Sequence, residues 1–241
     1  MRAREKRFRR DALWVDWRSM RRLYHFCLQP ASRKLRILLK EKGLEFELQA
    51  ENVWEKRAAF LALNHAGEVP VLVEDDGTVV ADGMALGEYV EEVYPAPPLL
   101  GATPAARAEV RRLVGWFDAK FNREVTANLL DQKILRRLNG HGGPDSQAIR
   151  AGNANIHTHL EYIAWLADRR KWLAGDDFSL ADITAAAHLS ALDYIGDIPW
   201  DRHVGAKDWY VRVKSRPSFR PLLADQLPGI APPPHYADLD F

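Results

Sequence analysis

The sequence predicts a small α/β domain followed by a larger all-helical domain. Apolar and polar residues follow the order β-α-β-α-β-β-α over residues 22–95. A proline cluster (Pro95, Pro97 and Pro98) ends this unit, and every periodic segment within residues 104–226 has helical spacing. Alternating strands and helices that give way to helices alone are typical of a sheet-containing domain beside a helical one. We therefore expect domains at 22–95 and 104–226.

The elements of the first domain follow from short-range patterns. Apolar residues alternate cleanly between Leu44 and Leu48, which is typical of a strand, and Asp75-Asp76-Gly77 between two apolar runs predicts a hairpin. Ser32 is expected to cap the first helix, and Gly43 to end it. The predicted strands are Leu23–Phe26, Leu44–Leu48, Val69–Val73 and Thr78–Ala81, and the predicted helices are Ser32–Lys42, Val53–Leu63 and Met84–Tyr94.

The second domain is predicted from helical periodicity and helix-capping signals. Residues 103–138 read as one long helix or two, and a glycine-rich break then precedes a helix over residues 146–172. Ser179, followed by Asp182 three positions later, is a capping-box pattern that opens an apolar helix. A further helix is expected over residues 208–215, and the chain closes with a proline-rich tail over residues 229–241.

Composition and charge narrow the class of protein. The 241 residues carry a formal net charge of +1 and are 47% hydrophobic, ordinary values for a globular protein. No apolar run approaches the roughly 18 residues that a membrane span needs. The single cysteine, Cys27, excludes an internal disulfide and a cysteine metal cluster, which suits the cytoplasm. Seven basic and three acidic side chains in residues 1–19 predict that residues 1–21 are a basic, disordered extension, unless translation starts at Met20.

Four pieces in a fixed order resemble the cytosolic glutathione-transferase superfamily. The pieces are Leu23–Phe26 leading into Ser32–Arg36, then Gly67-Glu68-Val69-Pro70-Val71-Leu72, then the capping box at Ser179–Asp182, and last Lys214–Phe219. This resemblance covers roughly residues 23–223. It implies a thioredoxin-like first domain, a helical second domain, a cis Val69–Pro70 bond and a homodimer.

The resemblance also implies a chemical site, and the sequence departs from it. Family members present a Ser, Cys or Tyr hydroxyl or thiol to the glutathione sulfur after the first strand, where this chain has Gln29. An amide donates a hydrogen bond but cannot ionise or relay a proton. Ser32 is better explained as a helix cap, and Cys27 as a small packing residue. If the chain is an enzyme, Gln29 and Ser32 are the candidates that hold the glutathione thiolate.

Two further features of the family bind the rest of glutathione. Members carry a Glu-Ser or Gln-Ser pair that grips the glutamyl end, and here Asp82-Gly83 stands in its place without a hydroxyl. The main chain at Val69 and Pro70, which pairs with the cysteinyl part, is kept. We interpret Val69, Pro70, Asp82 and Gly83 as a remnant of a glutathione site and expect no cofactor, with glutathione as the alternative. No metal site is predicted.

The tail after Gly229 has a composition that a transferase does not need. Its prolines favour an extended chain, and its tip interleaves aromatic and acidic residues before the terminal carboxylate. Such a tip is typical of a docking peptide, and the alternative is that the tail packs on its own domain. The residues expected to bind a partner are Tyr236, Asp238, Leu239, Asp240 and Phe241.

A second candidate partner surface is basic. Lys133, Arg136 and Arg137 have the i, i+3, i+4 spacing of one helix face, whose ordinary fate is exposure to solvent. Trp54 lies beside Glu51 and Glu55, where an indole is expected to be exposed. Trp and Arg are enriched at binding hot spots. We infer from charge and residue type that Trp54 and the three basic residues form a partner-facing surface.

The eroded ligand residues and the tail resemble one subgroup of the superfamily, a group of alphaproteobacterial cell-division proteins. The resemblance implies a non-catalytic homodimer that binds acidic FtsZ filaments at the division site, with a second division protein as the partner of the tail. One alternative is an active glutathione S-transferase or isomerase on small electrophiles, and another is a structural dimer. No nucleic acid and no membrane span are expected.

Overall fold

The structure is a computed structural model that describes residues 20–239 and 241. The expected basic extension falls almost wholly on residues 1–19, and it lies outside the described residues, as does Asp240 of the tail. Among the residues described, no helix is both long and apolar enough to cross a membrane.

The first domain is built on a four-stranded sheet with the strand order β2-β1-β3-β4. The strands are β1 (Arg22–His25), β2 (Glu47–Ala50), β3 (Val71–Val73) and β4 (Val79–Ala81). β1 pairs with β2 in parallel and with β3 antiparallel, so that Leu23 stands between Leu48 and Leu72. β3 and β4 form the predicted hairpin. The thioredoxin-like sheet and the fold class are confirmed.

The helices of this domain begin and end close to their predicted bounds, with two corrections. They are α1 (Pro30–Glu41), α2 (Ala58–Leu63) and α3 (Gly83–Val93). Gln29, not Ser32, occupies the N-cap position of α1, because Pro30 opens the helix and leaves Ser32 inside its first turn. The stretch predicted as one helix from Val53 is interrupted, since Lys56 has a left-handed backbone with φ 47° after a 3₁₀ turn.

The second domain is all-helical, as predicted. Its elements are α4 (Pro104–Gly115), a π-helical continuation (Trp116–Leu135), α5 (Arg136–Leu138), α6 (Ser146–Arg169), α7 (Leu180–Tyr194) and α8 (Val204–Lys214). The first three follow one another without a break. The segment over residues 103–138, predicted as one long helix or two, is therefore one continuous helix. Every residue of α7 is buried, and the predicted capping box of Ser179 and Asp182 is present at its start.

Both domains share one apolar core, and α1 forms the seam. α1 packs against α7, and nine of its residues are buried, including the charged Arg33, Lys34 and Arg36. Buried cations need partners. Arg36 contacts both oxygens of Asp225 at 2.7 and 2.9 Å, and Lys34 lies 2.6 Å from an oxygen of Asp118 in the helical domain. Charged contacts therefore hold the seam beside the apolar ones.

Candidate functional site

A cleft of about 380 Å³ lies between the two domains. The first turn of α1 and the start of α3 form one wall, and the helical domain forms the other. The lining of the cleft includes polar, charged and small residues from both walls: Gln29, Ala31, Lys34, Asp82, Gly83, Glu88, Arg111, Asp118 and His188. The cleft therefore stands where the resemblance places a glutathione site.

Within the described part of the chain, the first wall of the cleft carries no hydroxyl or thiol side chain that could activate a nucleophile. Gln29 is half-buried and lines the cleft, as expected. Ser32 is fully buried and lies 3.4 Å from the backbone N–H of Phe26, so it faces away from the cleft. Cys27 is half-buried, and burial raises the pKa of its thiol. Of the residues considered for thiolate chemistry, Gln29 alone reaches the cleft.

The Asp82 carboxylate binds the backbone of the helix that it precedes, α3. Its backbone is left-handed with φ 79°, and its Oδ1 accepts hydrogen bonds from the N–H groups of Met84 at 2.8 Å and Ala85 at 3.0 Å. The carboxylate is therefore the N-cap of α3. A folding role accounts for this acid without any ligand.

Gly83 is packed so closely that a side chain does not fit. A Cβ atom at this position would lie 2.9 Å from the Cβ of Ala31, well inside ordinary carbon–carbon contact. The serine that the family pattern puts here would require Ala31 to move. By contrast, Val69 and Pro70 are buried and joined by a cis peptide bond, as the resemblance implies.

The second wall carries a charged network that the sequence did not reveal. Asp118 accepts from Lys34 at 2.6 Å and lies 3.4 Å from Nε2 of His188, whose Nδ1 is 2.9 Å from the Thr126 hydroxyl. An ionised carboxylate only accepts, so Nε2 carries a proton, and in the neutral imidazole Nδ1 accepts from the Thr126 hydroxyl. Burial works to raise the pKa of Asp118, but His188 and Lys34 outweigh it and the pKa lies below its ordinary value.

A second ion pair lies at the mouth of the cleft. Arg111 on α4 binds both oxygens of Glu88 on α3 at 2.7 and 2.8 Å. Among the described residues that line the cleft, Lys34 and Arg111 are the lysine and arginine side chains available to an anionic ligand, and each is already paired. Their partners are 84 and 23 residues distant in the sequence, which is why spacing alone could not identify them. In the described part of the chain, no three His, Cys, Asp or Glu residues are grouped to hold a metal ion.

The predicted basic face is largely engaged within the protein. Lys133 pairs with Asp197 at 2.7 Å. Arg136 donates to the carbonyl oxygens of His141 at 2.8 Å and Gly143 at 3.2 Å, which holds the loop that follows α5. Arg137 is exposed. The expectation of three solvated cations is corrected for Lys133, because it neutralises a largely buried carboxylate.

Trp54 is less exposed than expected. The indole is half-buried and packs edge-to-face on Phe26, with ring centroids 5.5 Å apart. It follows that one edge of the ring contributes to the domain core and the remainder faces solvent.

The tail packs on its own protein. Tyr236 is fully buried, and its hydroxyl accepts from Arg33 at 2.9 Å and donates to the Leu222 carbonyl at 3.0 Å. The Phe241 ring lies 3.9 Å from Nζ of Lys214 and stacks on His235. This corrects the expectation for Tyr236, which is a core residue here and not an exposed anchor. Asp238 is exposed and Leu239 is half-buried, and their expected role stays a prediction.

Comparison with known families agrees with the fold. The family model described as the glutathione S-transferase N-terminal domain matches residues 30–93, and the one described as the C-terminal domain matches residues 154–217. FtsZ-localized protein A of Caulobacter vibrioides is 50% identical over 224 residues, which is 92% of this chain and 98% of that protein. Maleylacetoacetate isomerase of Pseudomonas aeruginosa is 30% identical over 73% of this chain and 82% of its own length.

Solved structures give the same result. A glutathione S-transferase from Rhodospirillum rubrum superposes with a TM-score of 0.90 at 62% identity and covers 92% of this chain and 100% of its own. FzlA from C. crescentus superposes with a TM-score of 0.89 at 50% identity and the same coverage. With both family models and nearly full-length relatives matched, the chain belongs to the glutathione S-transferase superfamily.

Proposed function

We propose that this chain is a non-catalytic homodimer that binds FtsZ filaments and regulates bacterial cell division. The observation that carries the proposal is the 50% identity to FtsZ-localized protein A across almost the full length of both chains. The protein then acts in the cytoplasm, at the division site. Glutathione plays no part in this role.

The geometry of the cleft supports a role without glutathione. Gln29 cannot supply the proton relay of a hydroxyl, and neither Ser32 nor Cys27 can take its place. The contact between Gly83 and Ala31 leaves no room for the missing serine. Two of the three ligand features of the family are therefore lost, and the third, at Val69–Pro70, lies in the buried core.

Exposed apolar side chains support the homodimer. Val79 on β4 and Val93 on α3 have exposed fractions of 41% and 47%. Exposed apolar side chains of this size are often covered by another protein. We assign Val79 to the contact with a second copy of the chain. Replacing Val79 with Asp should then shift the protein toward monomer in sedimentation-velocity experiments.

The filament-facing surface is assigned to Arg137 and Trp54 first. Arg137 is an exposed cation and Trp54 a half-exposed indole, whereas Lys133 and Arg136 are held by internal partners and contribute less. We assign the binding of a second division protein to the tail tip, which comprises Asp238, Leu239, Asp240 and Phe241. The partner then binds the tip once the tail has detached from the helical domain.

Co-sedimentation with polymerised FtsZ tests the proposal. Wild-type protein should pellet with filaments, less so as salt rises, and should pass through immobilised glutathione without retention. Arg137→Glu should weaken pelleting. Arg150→Glu is a matched control, because Arg150 is an exposed arginine on α6 outside the assigned surface. Wild-type protein that stays in the supernatant would refute the partner, and equal pelleting of both variants would refute the surface.

A glutathione-dependent enzyme is the second candidate function. The 62% identity to a glutathione S-transferase structure and the open cleft favour it. In that case Gln29 would donate its amide N–H to the glutathione sulfur. Isothermal titration decides between the two, since micromolar affinity for glutathione together with turnover of an aromatic chloride would establish the enzyme.

A further inference from the structure

Arg33 is a fully buried arginine on α1 whose guanidinium joins four separate segments of the chain. Its Nε donates to the Cys27 carbonyl at 2.6 Å, and its Nη1 donates to the Ser190 hydroxyl at 3.0 Å and to the Tyr236 hydroxyl at 2.9 Å. Nη2 lies 3.3 Å from Asp225. One charged group thus contacts the loop before α1, α7, the segment after α8 and the tail.

One arm of Arg33 fixes the loop that forms the cleft wall. Cys27 lies two residues before Gln29, and the Gln29 N–H donates to the Phe26 carbonyl at 3.0 Å to close the turn. The Nε bond to the Cys27 carbonyl therefore holds the turn that places Gln29 in the cleft. A change in the guanidinium position is transmitted to this turn directly.

The other arm fixes the tail. The Tyr236 hydroxyl accepts a hydrogen bond from Arg33 and donates one to the Leu222 carbonyl. The neighbouring His235 adds two further attachments, from its ring to Asp193 at 3.0 Å and from Lys214 to its carbonyl at 3.0 Å. Release of the tail would leave a buried guanidinium N–H without its acceptor, which is costly, so the cation has to shift.

We propose that Arg33 couples the seated tail to the cleft loop, so that release of Tyr236 loosens the turn at Cys27 and Gln29. The coupling is reciprocal, because any two sites linked through one equilibrium influence each other by the same factor. A molecule that enters the cleft and moves the loop then favours release of the tail. This inference goes beyond the proposed function and holds whether or not FtsZ is the partner.

Cys27 provides a site-specific probe, since it is the single cysteine of the chain. Its half-buried thiol has a raised pKa, so modification by 5,5′-dithiobis(2-nitrobenzoate) at pH 8 should be slow in the intact protein. Tyr236→Phe keeps the ring and removes only the hydroxyl that Arg33 contacts. We expect Cys27 to react about tenfold faster in this variant, which corresponds to about 1.4 kcal/mol.

Two variants control for general loosening. Thr184→Val also removes a buried hydroxyl, one that donates to the Leu180 carbonyl at 2.7 Å within α7, and the hydrogen bonds of Arg33 and of the tail do not use it. Phe241→Ala frees the tip alone. Both should react within twofold of wild type. An unchanged rate in Tyr236→Phe, or an equal acceleration in Thr184→Val, would overturn the coupling.

The reverse direction has its own measurement. Wild-type protein with Cys27 fully modified carries a bulky group in the loop, and reciprocity requires a looser tail. The Tyr236 N–H, which donates to the Pro233 carbonyl at 3.0 Å, should then exchange with deuterium about tenfold faster than in unmodified protein. Unaltered exchange at this amide would show that the loop does not act on the tail and would overturn the proposal.

Discussion

Replacing Gly83 with serine tests why the cleft lost a ligand group. The substitution restores the hydroxyl that the family pattern places at the start of α3. It also puts a Cβ 2.9 Å from the Cβ of Ala31, where ordinary contact begins at about 3.5 Å. Neither atom is the end of a flexible side chain, so backbone has to move.

The magnitude follows from two opposing effects. Helix propensity favours serine over glycine by about 0.5 kcal/mol. Overpacking of a closed contact costs about 1–3 kcal/mol. The clash is larger, so Gly83→Ser should destabilise the protein by about 0.5–2.5 kcal/mol and lower Tm by about 1–10 °C. The sign of the effect therefore separates the two causes.

A double-mutant cycle supplies the matched control. Ala31→Gly alone should cost up to about 1 kcal/mol, because it weakens the first turn of α1. In the double variant the clash is removed, so the combined loss in urea unfolding should be smaller than the sum of the single losses by about 1–2 kcal/mol. Additive losses, or a Gly83→Ser variant more stable than wild type, would refute this account of the cleft.

Three further predictions concern stability. Tyr236→Ala should lower the free energy of unfolding by about 3–5 kcal/mol in denaturant, since the ring is fully buried. A loss below about 1 kcal/mol would show that the ring is exposed to solvent. Burial raises the pKa of Asp131 from 3.8 to about 6, so the unfolded chain ionises first and stability is lost as pH rises from about 4 to 6; Asp131→Asn should raise Tm at pH 8 and leave it nearly unchanged at about pH 3.5. Lys133→Ala should cost about 1–3 kcal/mol because it orphans Asp197, whereas Arg137→Ala should change stability by less than about 0.5 kcal/mol.

Local signals in the sequence sufficed for most of the fold. The hairpin around Asp75-Asp76-Gly77 and the capping box at Ser179 depend on residues within a few positions of one another, and both are present. β2 is different, because its partner β1 is parallel and distant. The clean alternation at Leu44–Leu48 suggested a strand three residues too early, and the register is set by pairing with β1. Pattern alone could not supply that constraint.

Sequence could identify a residue of the candidate site only where its position also follows from a local folding pattern. Gln29 was identified because its position follows from a strand–loop–helix pattern. Lys34 and Asp118 were missed, since a buried ion pair between two domains leaves no periodic trace in either. The sequence left open that the tail packs on its own domain, but it could not identify the contacts of Tyr236, because the donor comes from α1 and the acceptor from the segment after α8.

Around the cleft, the residues that match the family pattern are ones that folding also requires. Asp82 caps α3 and Val69–Pro70 is part of the core, so both persist without any demand from a ligand. The positions that only a ligand requires hold Gln29, which lacks an ionisable group, and Gly83, whose missing side chain is replaced by the approach of Ala31. The surviving motifs are therefore explained by folding and do not by themselves indicate glutathione binding. The side chains at positions 29 and 83 are the informative ones, because both differ from the hydroxyl-bearing residues of the family pattern.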